Sequence, residues 1–289
     1  MQSVIGLGQA GCAIAAKLAQ YPQYNIFQID TDLGTLEEGA IHALNIKAQP
    51  STETYEAAAY PEFDHILDKI APETLFITSC GTISGASLRI LEALRDKTRI
   101  SVMYVIPDAA NLTDLQKLHN NLLFNVFQEY ARSDLFERVI LIDNAKCAAI
   151  MGEVPVLKFW DTLNSMIAST YHMINVFDHS RPVFTTFSNK VNTARMTTIG
   201  ATLWSPDEEK EENMFFLLDI PREKRYYYAV PQKMLEEDKT LMTTIQKQVK
   251  SAVEHDRMKV GYAIYSTTYD HPYVYCEGYS TLIQKNPAS

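Results

Sequence analysis

Short apolar runs of strand length alternate with helix-forming segments through the first half of this chain of 289 residues. The runs lie at residues 3–7, 25–30, 74–78, 99–106 and 138–142, with a weaker one at 44–47. Between them, apolar residues recur at steps of three and four, as from Leu112 to Tyr130, which predicts helices. Apolar strands separated by helices predict a parallel sheet covered on both faces, with ligands at the carboxyl ends of its strands.

The second half has a different pattern. A largely apolar helix is predicted over residues 159–177, and a second helix is predicted to begin near Leu241. Four strand-like runs rich in aromatic and β-branched residues occupy 214–221, 225–231, 259–269 and 273–282. We therefore expect a smaller α+β domain with a mixed or antiparallel sheet. The predicted organisation is an α/β domain over 1–158, a central helix over 159–180 and a C-terminal domain over 181–289.

Composition excludes several classes of protein. The net charge of −9 and the absence of a long basic run argue against direct binding to nucleic acid or to an acidic membrane. No charged-then-apolar leader precedes Ser3, and no apolar run approaches membrane-spanning length, so a cytoplasmic protein is expected. Four scattered cysteines support neither a disulfide framework nor a zinc site.

A glycine-rich turn follows the first apolar run. Gly6-x-Gly8-x-x-Gly11 sits between a predicted strand and a predicted helix, where exposed backbone N–H groups attract an anion. The spacing is that of the dinucleotide-binding fingerprint, and Asp30 lies about 20 residues on, where a ribose-binding acid is expected. An oxidoreductase that binds NAD or FAD is therefore one open interpretation.

A second turn of small residues follows the run at 74–78. Its members Gly81, Thr82, Ser84 and Gly85 open a second helix, which an ordinary NAD domain does not need. Two such turns at adjacent strand ends would enclose an anion from both sides, and a triphosphate suits them better than a pyrophosphate. The alternative is a loop with a serine-rich helix cap.

Four motifs occur in the order and approximate spacing of one family. They are GQAGC at 8–12, SCGTISG at 79–85, VILIDNAKCAAI at 139–150 and FWDTLN at 159–164. On these motifs, which cover about the first two-thirds of the chain, the sequence resembles the tubulin/FtsZ superfamily of nucleotide-driven filament proteins. The resemblance implies a Rossmann-like GTPase domain, GTP or GDP with Mg²⁺ as cofactors, and head-to-tail association of the chain with itself.

The resemblance also assigns roles to particular residues. The residues implied to cradle the phosphates and the base side are Gly8, Gln9, Ala10, Gly11 and Cys12, with Gln9 near Mg²⁺. The β- and γ-phosphates would contact Gly81, Thr82, Ser84 and Gly85. Asn144 and Asn164 would bind the guanine edge, and Trp160 would stack on the base. Asp30 and Asp32 would contact ribose or the magnesium shell.

Ordinary structural roles stay open for several of these residues. Without the family context, Trp160 is a core aromatic residue and Asn164 a polar residue on a helix face. Asp30 and Asp32 would form an Asx turn after a strand.

The chain departs from the family pattern at two places. Ser79, Cys80 and Ile83 replace glycines of the second turn, which brings side chains where backbone normally approaches phosphate. After the central helix, the family's acidic motif is missing: Thr186 takes the place of an acid, and Asp178 is the nearby carboxylate and catalytic candidate. We therefore expect weak or absent GTP hydrolysis, with a non-polymerising regulatory homologue as a further alternative.

Overall fold

The computed structural model describes residues 1–33, 41–189, 192–205, 213–256 and 258–288. The chain divides into two compact units, Met1–Ser169 with Lys285–Ser289, and Thr170–Gln284. The long helix predicted from residue 159 begins in the first unit and ends in the second. The domain boundaries expected at residues 158 and 180 stay a prediction.

The first unit is built on six strands that all pair in parallel. The strands are β1 (Gln2–Leu7), β2 (Tyr24–Asp30), β3 (Ile41–Asn45), β4 (Glu73–Thr78), β5 (Arg99–Ile106) and β6 (Arg138–Asp143). Their spatial order is β3-β2-β1-β4-β5-β6. β1, β4 and β5 are buried along nearly their whole length, so both faces of the sheet are covered. The parallel sheet predicted from the apolar runs is confirmed.

Helices connect these strands. They are α1 (Gly8–Leu18), α2 (Thr52–Ala57), α3 (Pro61–Leu67), α4 (Ser87–Leu94), α5 (Asp114–Arg132), α6 (Asn144–Met151) and α7 (Phe159–Asp178). Short 3₁₀ turns precede three of them, at Thr82–Ala86, Ala109–Asn111 and Val156–Lys158. The predicted alternation of strand and helix is therefore present from β1 through α7.

Helix α5 is present as predicted, but its leucine stripe does not face the core. Phe124 and Phe127 are buried against the sheet side, where Phe127 packs on Tyr104 of β5. Three leucines on the other side of the helix are more than half exposed, namely Leu115, Leu118 and Leu122. The apolar periodicity thus identified the helix without identifying its buried face.

The second unit contains a smaller mixed sheet. Its strands are β7 (Phe184–Thr185), β8 (Met196–Leu203), β9 (Glu223–Pro231), β10 (Lys259–Thr267) and β11 (Tyr273–Ser280). Their order is β8-β11-β9-β10-β7. β9 and β10 are parallel, and the other neighbours are antiparallel. Because a parallel pair needs a crossover, α8 (Gln232–Glu237) and α9 (Leu241–Asp256) lie between β9 and β10 in the chain.

One sequence prediction in this unit was wrong, and one strand was missed. Residues 214–221 are not a strand, since only Met214 makes an isolated bridge, to Gly200. Phe215 and Phe216 are both buried, whereas neighbouring residues of a half-covered strand alternate between core and solvent. Conversely, β8 was not predicted, because its buried threonines Thr197 and Thr198 make the run look polar.

Candidate functional site

The turns after β1 and β4 lie side by side. The two strands pair in parallel, with Gly6 opposite Ile77. Gly8 has a φ of +71°, and a Cβ added there would lie 2.7 Å from Cγ2 of Ile83 in the second turn. A Cβ on Gly11 would lie 2.3 Å from the carbonyl oxygen of Ile77. The structure therefore brings together the two turns that were predicted to bind phosphate.

The two glycines of the second turn have different surroundings. A Cβ on Gly85 would lie 2.0 Å from the carbonyl oxygen of Thr52 at the start of α2, so packing requires glycine there. A Cβ on Gly81 would meet nothing within 4 Å, and its φ of −61° suits any residue. Thr82 beside it is exposed. Open space thus lies in front of Gly81, while Gly85 is part of the scaffold.

Helix α1 and the 3₁₀ turn that leads into α4 begin without side-chain caps. Neither Leu7 before α1 nor Gly81 before the 3₁₀ turn supplies a side-chain oxygen that accepts a backbone N–H, and neither first turn holds an acidic residue. By contrast, Thr113 and Asp143 cap α5 and α6. Gln9, exposed, and Ala10, half-buried, lie in the uncapped first turn of α1. Uncapped N–H groups and the positive end of the helix dipole are suited to binding an anion.

Buried hydroxyl groups add to this edge of the sheet. The side-chain oxygens of Ser84 and Ser87 are buried and have no hydrogen-bond partner among the described residues. Ser79, in contrast, donates its hydroxyl proton to the carbonyl oxygen of Val105 at 2.7 Å. Buried hydroxyls normally find a partner, so two orphaned ones at the start of α4 point to a group that the protein itself does not supply. Sequence reasoning missed Ser87, which lies just beyond the motif.

Cys12 contributes backbone rather than side chain to the first turn. Its Sγ donates to the carbonyl oxygens of Gly6 at 3.3 Å and Ile29 at 3.5 Å. Burial, with Asp30 nearby, raises the pKa of the thiol to about 12. The thiol is therefore neutral and points into the sheet. The carbonyl oxygen of Cys12 accepts a hydrogen bond from Nε2 of Gln28 at 2.8 Å, so neither its side chain nor its carbonyl oxygen is available to a ligand.

Asp30 and Asp32 lie at the end of β2, next to β1. Oδ1 of Asp30 accepts a hydrogen bond from the N–H of Thr31 at 2.7 Å, and its carbonyl oxygen accepts one from the N–H of Ile46 at 2.9 Å. Asp32 is exposed. These local bonds order the strand end, and a role for either carboxylate toward ribose or magnesium stays a prediction.

Asn144 lies at the same edge of the sheet, as the first residue of α6. Its Oδ1 is buried and has no hydrogen-bond partner in the described part of the chain. The preceding Asp143 caps the helix through the N–H groups of Ala145 and Lys146, at 2.9 and 3.4 Å. Burial raises the pKa of this carboxyl group. An orphaned amide oxygen beside a helix start is compatible with the predicted contact to a base edge.

The first turns of α7 carry the other two predicted base contacts. Trp160 is 60% exposed, with its ring edge-on to Phe159, so its interpretation as a core aromatic residue is wrong. Asn164 lies one turn further and is half-buried. Lys17 at the end of α1 forms an ion pair with Asp161, which holds the start of α7 beside α1. Sequence reasoning did not identify this pair, because nothing local relates residues 144 positions apart.

Asp178, the catalytic candidate, ends α7 and belongs to the second unit. It is exposed, and its Oδ1 accepts a hydrogen bond from the hydroxyl group of Tyr227 at 2.8 Å. The same hydroxyl group lies 2.6 Å from Oε2 of Glu277, a carboxyl group that is 1% exposed and also accepts from Tyr279. Burial and Glu277 raise the pKa of Tyr227 well above its usual range. The carboxylate is thus attached to a buried network that the sequence did not predict.

The segment after α7 is fixed to the small sheet. Thr186 donates its N–H to the carbonyl oxygen of Tyr262 at 2.9 Å, and its Oγ1 accepts the N–H of Tyr262 at 2.9 Å. Arg225 donates to the carbonyl oxygen of Ser188 at 2.6 Å, and Lys259 to that of Asn189 at 2.6 Å. The Thr186 hydroxyl group therefore completes the sheet edge and has neither the charge nor the freedom of a general base.

The residues at this site suit a cation coordinated mainly by phosphate oxygens better than one coordinated by protein side chains alone. Within the described ranges, no group of three His, Cys, Asp or Glu side chains could hold a metal ion. Mg²⁺ in nucleotide sites is held largely by phosphate oxygens and waters, with one or two protein groups. The exposed amide of Gln9 could supply such a group.

In the part of the chain that the structure describes, no helix is long and apolar enough to cross a bilayer.

Known structures share this fold although sequence comparison finds no relative. No protein-family model matches the chain, and no curated protein sequence matches it. An empty FtsZ dimer from M. jannaschii superposes with a TM-score of 0.71 and 12% identity, covering 99% of this chain and 92% of that one. A GTPγS-form protofilament of TubZ from Bacillus thuringiensis serovar israelensis superposes with a TM-score of 0.70 and 15% identity, covering 96% of this chain and 86% of that one.

A third structure, a TubZ of type III plasmid segregation, gives a TM-score of 0.66 and 16% identity, covering 100% of this chain and 89% of that one. At this level of identity the likeness establishes the fold, which is that of FtsZ and TubZ. The predicted fold class and the resemblance to the tubulin/FtsZ superfamily are confirmed at that level.

Proposed function

We propose that this chain, which has the fold of FtsZ and TubZ, binds GTP or GDP with Mg²⁺ at the carboxyl edge of its parallel sheet. One observation carries the proposal: the uncapped starts of α1 and of the 3₁₀ turn before α4 lie side by side, with buried hydroxyl groups that have no partner among the described residues. Phosphate oxygens are the acceptors that such N–H and O–H groups lack. The open space in front of Gly81 leaves room for them.

The base would lie toward α6 and α7. Asn144 offers a buried amide oxygen without a partner in the described structure, and an amide supplies both a donor and an acceptor for a guanine edge. The exposed ring of Trp160 is available for stacking, and Asn164 lies one helical turn beyond it. A guanine base therefore finds groups of the right chemistry on one unit of the molecule.

The chain would assemble head to tail into filaments that turn over slowly. TubZ structures of this fold include a protofilament and a helical four-stranded filament. A heterologous contact gives open filaments unless its rotation closes. Asp178 is engaged by Tyr227 and Thr186 is bonded to Tyr262, so the segment after α7 offers little to orient an attacking water. A cytoplasmic location, without direct binding to nucleic acid or membrane, remains predicted from the net charge of −9 and the sequence pattern.

Thermal melting with separate additions of GTP, ATP, NAD and FAD tests the ligand. A ligand present at roughly 100 times its dissociation constant stabilises the folded chain by about 2.7 kcal/mol, which is easily seen as a shift in Tm. We expect a shift with GTP and GDP. A shift with NAD or FAD and none with GTP would establish the oxidoreductase interpretation instead.

Right-angle light scattering with GTP, paired with measurement of released phosphate, tests assembly and turnover. We expect scattering to rise with GTP while phosphate release stays slow. Phosphate release that rises steeply with protein concentration would show that a catalytic site is completed between copies, which contradicts the slow-turnover proposal. A GTP-induced Tm shift without assembly would favour the non-polymerising regulatory homologue.

A further inference from the structure

A cleft of about 370 Å³ lies beside α4, next to the amino ends of β5 and β6. All of its lining residues belong to the first unit. Ile100 near the start of β5 lines it, whereas the two glycine turns lie at the carboxyl ends of the strands, about 20 Å away along the sheet. The cleft has the volume of a small-molecule site. It is therefore a candidate binding site apart from the one proposed for the nucleotide.

Most of the cleft is apolar. Its apolar and aromatic lining consists of Leu88, Leu91, Ile100, Tyr130, Leu135 and Phe136. Leu91, Ile100 and Phe136 are buried and form the floor. The rings of Tyr130 and Phe136 meet edge to face, with their centroids 5.7 Å apart. Such a lining favours a ligand with an aromatic ring or a short hydrocarbon group.

The wall of the cleft is formed where α5 ends, and backbone hydrogen bonds fix it. Asp134 has a φ of +65°, and its N–H donates to the carbonyl oxygen of Ala131 at 3.1 Å. The N–H of Leu135 donates to the carbonyl oxygen of Tyr130 at 2.9 Å. These two bonds make a Schellman motif, in which the residue after the left-handed position packs on the last turn of the helix. A wall that is already in place loses little conformational entropy when a ligand binds.

Charged groups surround the cleft, and one of them is a cation that the chain does not neutralise. Arg89 donates from Nε to the carbonyl oxygen of Glu56 at 3.0 Å, and its Nη1 lies 3.4 Å from Oε2 of Glu92. Arg95 is exposed and has neither an ion pair nor a side-chain hydrogen bond among the described residues. It follows the last residue of α4, about 9 Å along the helix axis from Arg89 and the acidic groups beside it. The guanidinium group of Arg95 is therefore available to an anion.

From these observations we infer that the cleft binds a small apolar acid. Its ring or hydrocarbon group packs against Tyr130, Leu135 and Phe136, and its carboxylate pairs with Arg95. A guanidinium group binds a carboxylate through two parallel N–H donors, which also fixes the orientation of the ligand. The inference does not depend on the proposed function, because the cleft and the glycine turns lie at opposite edges of the sheet.

Fluorescence titration with two dyes tests this site. Anilinonaphthalene sulfonate carries two aromatic groups and one anionic group, and phenylnaphthylamine has the same ring system without the sulfonate. We expect the sulfonate to bind one site per chain, more tightly than the neutral dye, and to stay bound at saturating GTP. Displacement by GTP would place the dye in the nucleotide site and overturn the inference. If GTP causes no shift in Tm, the proposed function fails while the dye titration still tests the cleft.

The variant Arg95→Gln separates the anion contact from the apolar wall. Because Arg95 is exposed, Tm should not change. The dissociation constant of the sulfonate should rise about tenfold, while that of the neutral dye should change by less than about twofold. The matched control Arg132→Gln replaces another exposed arginine, which does not line the cleft, and should bind both dyes like the parent. Unchanged sulfonate affinity in Arg95→Gln, or an equal loss of both dyes, would overturn the inference.

The variant Leu135→Trp tests the apolar wall. The larger side chain should fill the cleft and weaken the binding of both dyes, and a parent-like Tm establishes that the variant is folded. If folded Leu135→Trp protein binds both dyes as tightly as the parent, the dyes bind elsewhere and the inference fails. If the variant does not fold, the comparison of Arg95→Gln with Arg132→Gln decides the question.

Discussion

The two glycine turns of the first unit use glycine for different purposes. Where β1 meets α1, packing requires glycine, since a Cβ at Gly6 in the strand or Gly11 in the helix would overlap neighbouring backbone. In the turn after β4, only Gly85 has that role, and Gly81 faces open space with an ordinary φ. Glycines of one sequence motif therefore have two roles: some are required by packing, and others leave room for a ligand. Only their neighbours in the structure distinguish the two.

The largest expected effect is on stability, from the first turn. Gly11→Ala places a methyl group 2.3 Å from the carbonyl oxygen of Ile77. Since backbone must move to relieve this overlap, we expect the free energy of unfolding to fall by about 3 kcal/mol or more. Urea denaturation followed by circular dichroism measures it. The matched control Gly81→Ala should change stability by no more than about 0.5 kcal/mol while reducing the GTP-induced Tm shift. If both variants were equally destabilised, the two glycines would not differ in their importance for packing.

Trp160→Ala tests whether the ligand of the turns extends to α7. Stacking of an aromatic ring on a base contributes about 1–3 kcal/mol, so the GTP dissociation constant should rise roughly 5- to 150-fold. Because the ring is 60% exposed, Tm without ligand should hardly change. Isothermal titration calorimetry gives the affinity, and Leu118→Ala on the exposed side of α5 is the control. If folded Trp160→Ala protein binds GTP as tightly as the parent, the base does not bind at this helix.

Substitutions of two serines in the second turn compare a hydroxyl group that is hydrogen-bonded within the protein with one that has no partner among the described residues. Ser79→Ala removes the hydrogen bond to Val105 and should cost about 1 kcal/mol of stability. Ser84→Ala removes a hydroxyl group without a partner in the described structure, so stability without ligand should not fall, whereas GTP affinity should. Urea unfolding with and without GTP measures both. A destabilised Ser84→Ala variant would mean that this hydroxyl group serves the fold.

The smallest expected effect concerns the thiol of the first turn. Burial raises the pKa of Cys12 to about 12, so the reactive thiolate is essentially absent at neutral pH and forms only as pH approaches that value. Iodoacetamide at pH 8 should therefore leave Cys12 unmodified in native protein and alkylate it in urea, as read by peptide mass spectrometry. Modification of native protein that GTP suppresses would instead place the side chain in the binding site.

Features that depend on local periodicity were predictable from the sequence. The parallel strands, α5, α7 and the glycine turns follow from apolar runs and residue spacing, because each is specified within a few turns of chain. The buried face of α5 was not predictable, since both sides of that helix are apolar and tertiary packing selects one. β8 was missed because its threonines favour a strand through their β-branched side chains but are polar, so the run does not look apolar.

The site was predictable where it consists of backbone. Turns after parallel strands must meet at one edge of the sheet, so the neighbouring positions of Gly8 and Ile83 follow from topology. Side-chain relations over long separations could not be predicted, such as Lys17 with Asp161 or Asp178 with Tyr227. These pairs depend on how whole elements pack, which no local pattern records.

The Tyr227 hydroxyl group carries a single proton, yet its oxygen lies 2.8 Å from Asp178 and 2.6 Å from Glu277. It can donate to only one of the two carboxyl groups at a time. Exposed Asp178 and buried Glu277 therefore share one donor. A change that fixes this proton on one carboxyl group withdraws it from the other, so the solvent-facing end of α7 is linked to the interior of the small sheet.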